Sequence, residues 1–166
     1  MNQNILKTKK MEKVKIIVAG DMYVPRYMHI SDAGADLKAH INGEGTKIIY
    51  NAEMSDNKIC IHPGGRVCID SGIKMQIPLG YEAQVRPRSG LSLKSGIIAQ
   101  LGTIDSGYRG AVGIIIINLG EKDFVVNEGD RIAQLVFNKV ERAKFELAMF
   151  LDESERDGGF GHTGTK

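Results

Sequence analysis

From residue 14 to residue 150, every apolar run is cut short by glycine, proline, asparagine or charge before it can build a long helix. The runs cover 14–18, 35–39, 47–50, 58–61, 66–69, 73–77, 81–85, 98–104, 113–118, 124–126, 131–137 and 145–150. Isoleucine and valine dominate them, and alternation of period two recurs, so they read as strands. Ile73, Met75 and Ile77 alternate with Lys74 and Gln76, as in a half-buried strand. Asn42-Gly43-Glu44-Gly45, His62-Pro63-Gly64-Gly65, Asp70-Ser71-Gly72, Pro78-Leu79-Gly80 and Asn127-Glu128-Gly129-Asp130 read as turns. Residues 46–58 read as a long loop. Only 91–98 and 141–145 have room for a short helix. With no βαβ spacing, the pattern predicts an all-β sandwich or barrel. There is no internal repeat and no interdomain linker. One domain is expected over 13–151, after a frayed, basic 1–12 and before a mobile, glycine-rich arm at 152–166.

The chain has 166 residues, enough for one domain with a core of its own. A net charge of +2 gives no excess that would mark a polyanion-binding surface, so no nucleic-acid partner is expected. No stretch approaches a membrane span. The N-terminal residues lack the apolar centre of a signal peptide, and a cytoplasmic location is expected. Cys60 and Cys68 fit that compartment as reduced, buried thiols. His62 lies between them, but the three match no standard zinc spacing.

Four segments carry candidate chemistry. In Gly102-Thr103-Ile104-Asp105-Ser106-Gly107-Tyr108-Arg109-Gly110, residues 105–108 read as a tight turn with Gly107 at positive φ. Runs 98–104 and 113–118 would then form a hairpin, with Asp105 and Tyr108 facing each other across its neck. Such a pair sets a carboxylate, able to take a proton from water, beside a flat ring. The same residues equally suit an Asp that opens a turn and a Tyr that pads a strand. Arg86-Pro87-Arg88-Ser89-Gly90 offers a forked cation, a hydroxyl and exposed backbone N–H groups, either a phosphate cradle or a solvated polar turn. Arg131 and Gln134 are three apart, so on an extended strand they face opposite ways unless Arg131 still belongs to the preceding turn. The tail Arg156-Asp157-Gly158-Gly159-Phe160-Gly161-His162-Thr163-Gly164 places one aromatic among glycines, suited to docking on a flat group or to a disordered end. Asp32, Asp36 and Asp105 could gather around a hard cation. No nucleophile elbow and no GxxxxGK[ST] phosphate loop is present.

Five segments, in order, resemble the motifs of the trimeric dUTP pyrophosphatases (dUTPases). They are Ala33-Gly34-Ala35-Asp36-Leu37, Pro87-Arg88-Ser89-Gly90, the 102–110 stretch, Gly129-Asp130-Arg131-Ile132-Ala133-Gln134 and residues 158–164. The resemblance implies a jelly-roll β-barrel, a homotrimer with active sites shared between subunits, and hydrolysis of dUTP with Mg²⁺ and water to dUMP and pyrophosphate. It implies Asp105 as the base that orients water for attack at the α-phosphorus. Tyr108 would pack on deoxyribose and exclude a 2′-hydroxyl. Substrate contacts are implied at Arg88, Ser89, Gly90, Gln100, Gly102, Tyr108, Gln134, Arg156, Phe160, Gly161, His162 and Thr163, with Phe160 stacking on uracil. Asp36 and Arg131 would support them. Mg²⁺ would be held by substrate phosphates and water, with Asp36 at most an indirect partner.

Three features depart from the family pattern. Arg156 stands one residue closer to the arm's aromatic than in many relatives. Ala99, followed by Gln100, occupies a position where several relatives carry a uracil-binding Asn, which leaves backbone groups and Gln100 to read the base. Residues 46–58 exceed the corresponding loop of compact members. A dCTP deaminase of the same fold is the nearest rival, but the strand position where it needs a glutamate is Ile115 here. A nucleotide-binding or protein-binding module without turnover is the other alternative.

Overall fold

The computed structural model describes residues 13–153. Its strands are β1 (Lys15–Val18), β2 (Ala35–Lys38), β3 (Lys47–Ser55), β4 (Lys58–Asp70), β5 (Ile73–Gln76), β6 (Tyr81–Arg86), β7 (Ile97–Ala99), β8 (Gly102–Ile104), β9 (Gly113–Asn118), β10 (Phe124–Asn127) and β11 (Arg131–Lys139). Among the described residues one α-helix, α1 (Ser89–Ser95), joins β6 to β7, and a 3₁₀ turn spans Asp21–Tyr23. Every strand pair is antiparallel. One sheet runs β2-β11-β6-β8; a second runs β10-β4-β9-β7 with β3 also on β4; β1 and β5 form a ribbon.

Alternation explains how the layers close. Ile73 and Met75 are buried while Lys74 and Gln76 are exposed. Leu37 of β2, Val85 of β6 and Leu135 of β11 meet Ile59, Ile69, Ile114 and Ile116 of the other sheet in one shared core. An all-β architecture is therefore present. Among the described residues no helix is long and apolar enough to cross a membrane.

The structure corrects several expectations. His62-Pro63-Gly64-Gly65 does not reverse the chain; β4 passes straight through it, and the span 46–58 is mostly β3, paired along β4. The ladder slips on both sides of Tyr50, as at a bulge. Asn51 there has φ 46° and Gly64 φ 76°, and Asn51 Nδ2 donates to the Pro63 carbonyl (3.0 Å). A Cβ on Gly65 would overlap the Asn51 carbonyl oxygen. Proline and glycine are tolerated inside a strand at such a kink, and here the kink divides β4 between two partners, β10 along 58–61 and β9 along 66–70.

Runs 98–104 and 113–118 form no simple hairpin. β7 pairs with β9, and Gln100 N–H extends that ladder to the Ile115 carbonyl (2.8 Å). The chain then leaves the sheet, and β8 pairs with β6 in the other layer. The expected helix at 91–98 begins earlier, at Ser89. Residues 141–150 form neither a helix nor a strand. Among the described residues regular structure ends at Lys139, and Phe145, Leu147, Met149, Phe150 and Leu151 lie almost wholly exposed. Cys60 and Cys68 are half-buried rather than buried. The 1–12 segment and most of the 152–166 arm lie outside the described residues.

Candidate active site

The turn at Asn127-Glu128-Gly129-Asp130 launches β11: Asp130 N–H donates to the Asn127 carbonyl, and Asp130 Oδ2 accepts the Asn127 N–H. The ladder with β2 then slips, pairing Arg131 with Lys38 but Ala133 with Leu37. Two β11 residues thus oppose one on β2, and Ile132 and Ala133 both point into the core. This half-period shift puts Arg131 and Gln134 on one face. Sequence spacing alone set them on opposite faces; the bulge reverses that, although Arg131 is already in the strand.

Gln134 stands directly opposite Asp36. Asp36, with its side chain only 14% exposed, takes Arg131 Nη1 on Oδ2 (3.1 Å) and faces Arg88 Nε with Oδ1 (3.2 Å). Arg88 Nη1 also donates to the Arg131 carbonyl (2.7 Å). Gln134 Nε2 donates to the Pro87 carbonyl (2.9 Å). One carboxylate therefore fixes two guanidiniums, and the segments holding Asp36, Arg88 and Gln134 are brought together. The Gly34 backbone lies so close over Gln134 that a Cβ would overlap Oε1. Gly34→Ala is expected to displace that amide from the Pro87 carbonyl and loosen the segments it joins, read as a lower Tm.

These residues border an open cleft of about 600 Å³. Arg86, Arg88 and Lys94 line it with cations, and Ser89, Gly90 and Gln134 add polar and backbone groups. Arg86 is partly committed, since Nε and Nη2 both donate to Gln84 Oε1 (2.9 and 2.7 Å). Lys94 makes no ion pair among the described residues. Sequence reading missed Lys94, because a basic residue in a helix's last turn ordinarily answers the helix dipole. Such a cleft suits a polyanion carried on a small molecule.

The second group sits elsewhere. Tyr108 N–H donates to the Asp105 carbonyl (3.0 Å), so the expected four-residue turn forms. Gly107 is not at positive φ. Arg109 Nη1 holds the turn from outside by donating to the Ser106 and Tyr108 carbonyls (both 2.7 Å); no sequence pattern singled it out. Tyr108 Oη donates to the Ala111 carbonyl (2.8 Å), and the ring lies over Gly110, where a Cβ would overlap it. Asp105 is exposed, and the ring is 45% exposed. The two therefore share a turn rather than pairing across strands.

Strand register measures the gap between the groups. Ile104 pairs with Ala83, so Asp105 comes level with Glu82, four residues from Arg86 and about 13 Å along the sheet at some 3.3 Å per residue. Neither Asp105 nor Tyr108 borders the cleft. Asp32, Asp36 and Asp105 do not gather: Asp32 borders the cleft and caps the His29 N–H (2.8 Å), Asp36 is committed to two arginines, and Asp105 is remote. Gln100 has given its N–H to Ile115, leaving its exposed side-chain amide free. Gly102 keeps an open face, with nothing closer to a Cβ than Val85 at 3.9 Å. Arg156, Phe160, Gly161, His162 and Thr163 lie outside the described residues.

The sequence model of the dUTPase family matches residues 49–164. The chain belongs to this family. It is 49% identical over 144 residues to the deoxyuridine 5′-triphosphate nucleotidohydrolase of Syntrophotalea carbinolica, covering 85% of this chain and 88% of that one. It is 43% identical over 155 residues to the enzyme of the same name from Finegoldia magna, covering 92% and 99%. Among solved structures, the dUTPase of Staphylococcus bacteriophage 80alpha with dUpNHpp superposes with a TM-score of 0.76 at 23% identity, covering 93% of this chain and 99% of that one. The dUTPase of phage phi11 of S. aureus gives 0.70 at 21%, covering 86% and 100%. At such identities the structural likeness speaks for the fold, and the fold is that of the dUTPases.

Proposed function

We propose that this chain hydrolyses dUTP to dUMP and pyrophosphate in the cytoplasm, as a homotrimer of jelly-roll barrels whose active sites are completed between subunits. Membership of the dUTPase family, with close relatives named for this reaction, supports the chemistry. The observation that carries the shared site is the separation just described. We read the separation of about 13 Å along one sheet between a phosphate cradle and an acid–ring turn as support for a site completed across chains. The exposed tail points the same way. Phe145, Leu147, Met149 and Leu151 recur at every second position and are each at least 91% exposed. The segment is no strand within this chain, and such spacing would give it one apolar face on pairing with a neighbouring chain.

Arg88, Ser89, Gly90 and Gln134 grip the triphosphate, Lys94 adds charge to the cleft, and Asp36 holds Arg88 and Arg131 in place beforehand. The donor set is cationic, and its central carboxylate is already spent on guanidiniums, so Mg²⁺ fits as an ion carried by the phosphates and water, with no direct protein ligand. When bound, it neutralises charge on the phosphates and the leaving pyrophosphate. Asp105 from a neighbouring subunit takes a proton from water as that oxygen bonds to the α-phosphorus and the bond to the bridging oxygen breaks. Tyr108, pinned to Ala111, lays its ring against C2′ of the sugar. Gln100 offers its side-chain amide to uracil, beside the open backbone at Gly102. Phe160 stacks on the base, and Arg156, Gly161, His162 and Thr163 close over the nucleotide.

Pyrophosphate release assayed across nucleoside triphosphates, with and without Mg²⁺, tests this reading. Release from dUTP alone is expected, with no ammonia from dCTP, consistent with Ile115 on β9. Ammonia production would overturn it. Tyr108→Ala should raise kcat/KM for UTP relative to dUTP by about tenfold or more, the scale set by losing one steric exclusion. An unchanged ratio would remove Tyr108 from sugar selection.

A further inference from the structure

The outward face of the five-stranded sheet carries a second cluster that dUTP hydrolysis does not use. Cys60 and His62 are two apart on β4, so they share the face opposite the buried Ile59 and Ile61. Glu53 of β3 pairs directly with Cys60. Asp123 immediately precedes β10, whose Phe124 and Val125 pair with Ile61 and Cys60. Strand pairing thus converges four side chains that sequence scatters over 71 positions, from Glu53 to Asp123. Ligand atoms of Cys60, His62 and Asp123 all lie within 4.8 Å of one another. His62 Nδ1 is 2.8 Å from Asp123 Oδ1, and Nε2 is 3.8 Å from Glu53 Oε1.

We propose that Cys60, His62 and Asp123 form a surface site for a divalent cation of the zinc type, with water in the fourth position. One sulfur, one imidazole nitrogen and one carboxylate oxygen, with water, make a set that zinc takes in tetrahedral geometry; Glu53, near the other ring nitrogen, adds only negative charge nearby. A thiolate and an imidazole together select against Mg²⁺, which prefers oxygen, so this site and the nucleotide's metal draw on different ions. The kink at Pro63-Gly64 matters here, because the β4 segment before it is the part flanked by β3 and β10 at once. Burial, Asp123 and Glu53 push the Cys60 thiol above its ordinary range. Binding forms the metal–sulfur bond and releases the thiol proton to solvent, with no change of oxidation state. A bound ion would tie β4 to the residue that precedes β10.

Titration of the full-length, metal-free protein with Co²⁺ in excess Mg²⁺ tests the proposal. A thiolate-to-cobalt charge-transfer band should rise, saturate at one ion per chain and vanish on adding Zn²⁺. Cys60→Ser should abolish the band while Cys68→Ser leaves it. His62→Gln and Asp123→Asn should each weaken binding at least tenfold. Asp123→Asn leaves β4 untouched and keeps the test valid should a strand substitution disturb folding. Zn²⁺ should raise Tm of the parent and not of Cys60→Ser, and Cys60→Ser should hydrolyse dUTP at the parent rate. No charge-transfer band, a band that survives Cys60→Ser, or unchanged affinity in both His62→Gln and Asp123→Asn would each overturn the site; the last would leave only a lone thiol.

Discussion

Asp105→Asn is expected to slow dUTP hydrolysis by about 10²–10⁴-fold, the range for losing a positioned general base, with little change in affinity for a non-cleavable analogue. Asparagine keeps the size of the side chain and its fitness for opening a turn. The backbone bond from Tyr108 to the Asp105 carbonyl survives, as do the two from Arg109. The cradle of Arg88, Ser89 and Gln134 belongs to another part of the chain and is untouched. Rates of pyrophosphate release and calorimetric affinities, measured side by side, separate the two effects. Turnover at the parent rate would show that another group takes the proton. An equal fall in affinity would make Asp105 a binding group.

Phe145→Asp combined with Leu147→Asp should convert the protein to monomers and reduce activity to background. Neither side chain belongs to the shared core, and exposures of 95% and 104% mean that none of the described residues shelters them. Burying a Phe or Leu contributes about 1.5–3 kcal/mol. Losing two such contacts removes on the order of 3–6 kcal/mol per tail, a hundredfold or more in association. The β-rich circular dichroism spectrum should persist, because the sheets do not depend on the tail. Light scattering during size-exclusion chromatography reads the assembly directly. A fully active trimer carrying both substitutions would place the tail outside the interface.

Much of this was legible in the residues. The 73–77 alternation became β5 as read, because period two reports which face is buried wherever one side meets a core. The 127–130 turn formed as read, and the 105–108 turn formed without the positive φ expected at Gly107, because their hydrogen bonds are local. Errors arose where a local signal had to be weighed against a distant partner. Proline and two glycines at 63–65 report dihedral freedom, and whether the chain reverses or merely kinks there is decided by Asn51 across the ladder. The 98–104 run has a strand's composition throughout, yet it changes sheets at Leu101, and composition does not encode which neighbour a strand chooses. Arg131 and Gln134 share a face through a one-residue bulge that no periodicity announces. The motif order pointed to Asp36, Arg88 and Gln134 together, and the fold joins them. Lys94 and the meeting of His62 with Asp123 depend on packing between remote segments.

The distance between the cradle and the turn of Asp105 has a genetic consequence. Two inactive proteins should cure each other. In the proposed trimer, Arg88→Ala chains unfolded and refolded with Asp105→Asn chains would, by random mixing, restore an intact pairing at roughly a quarter of the junctions. A cell bearing one copy of each lesion would then keep part of the activity that neither allele supplies alone.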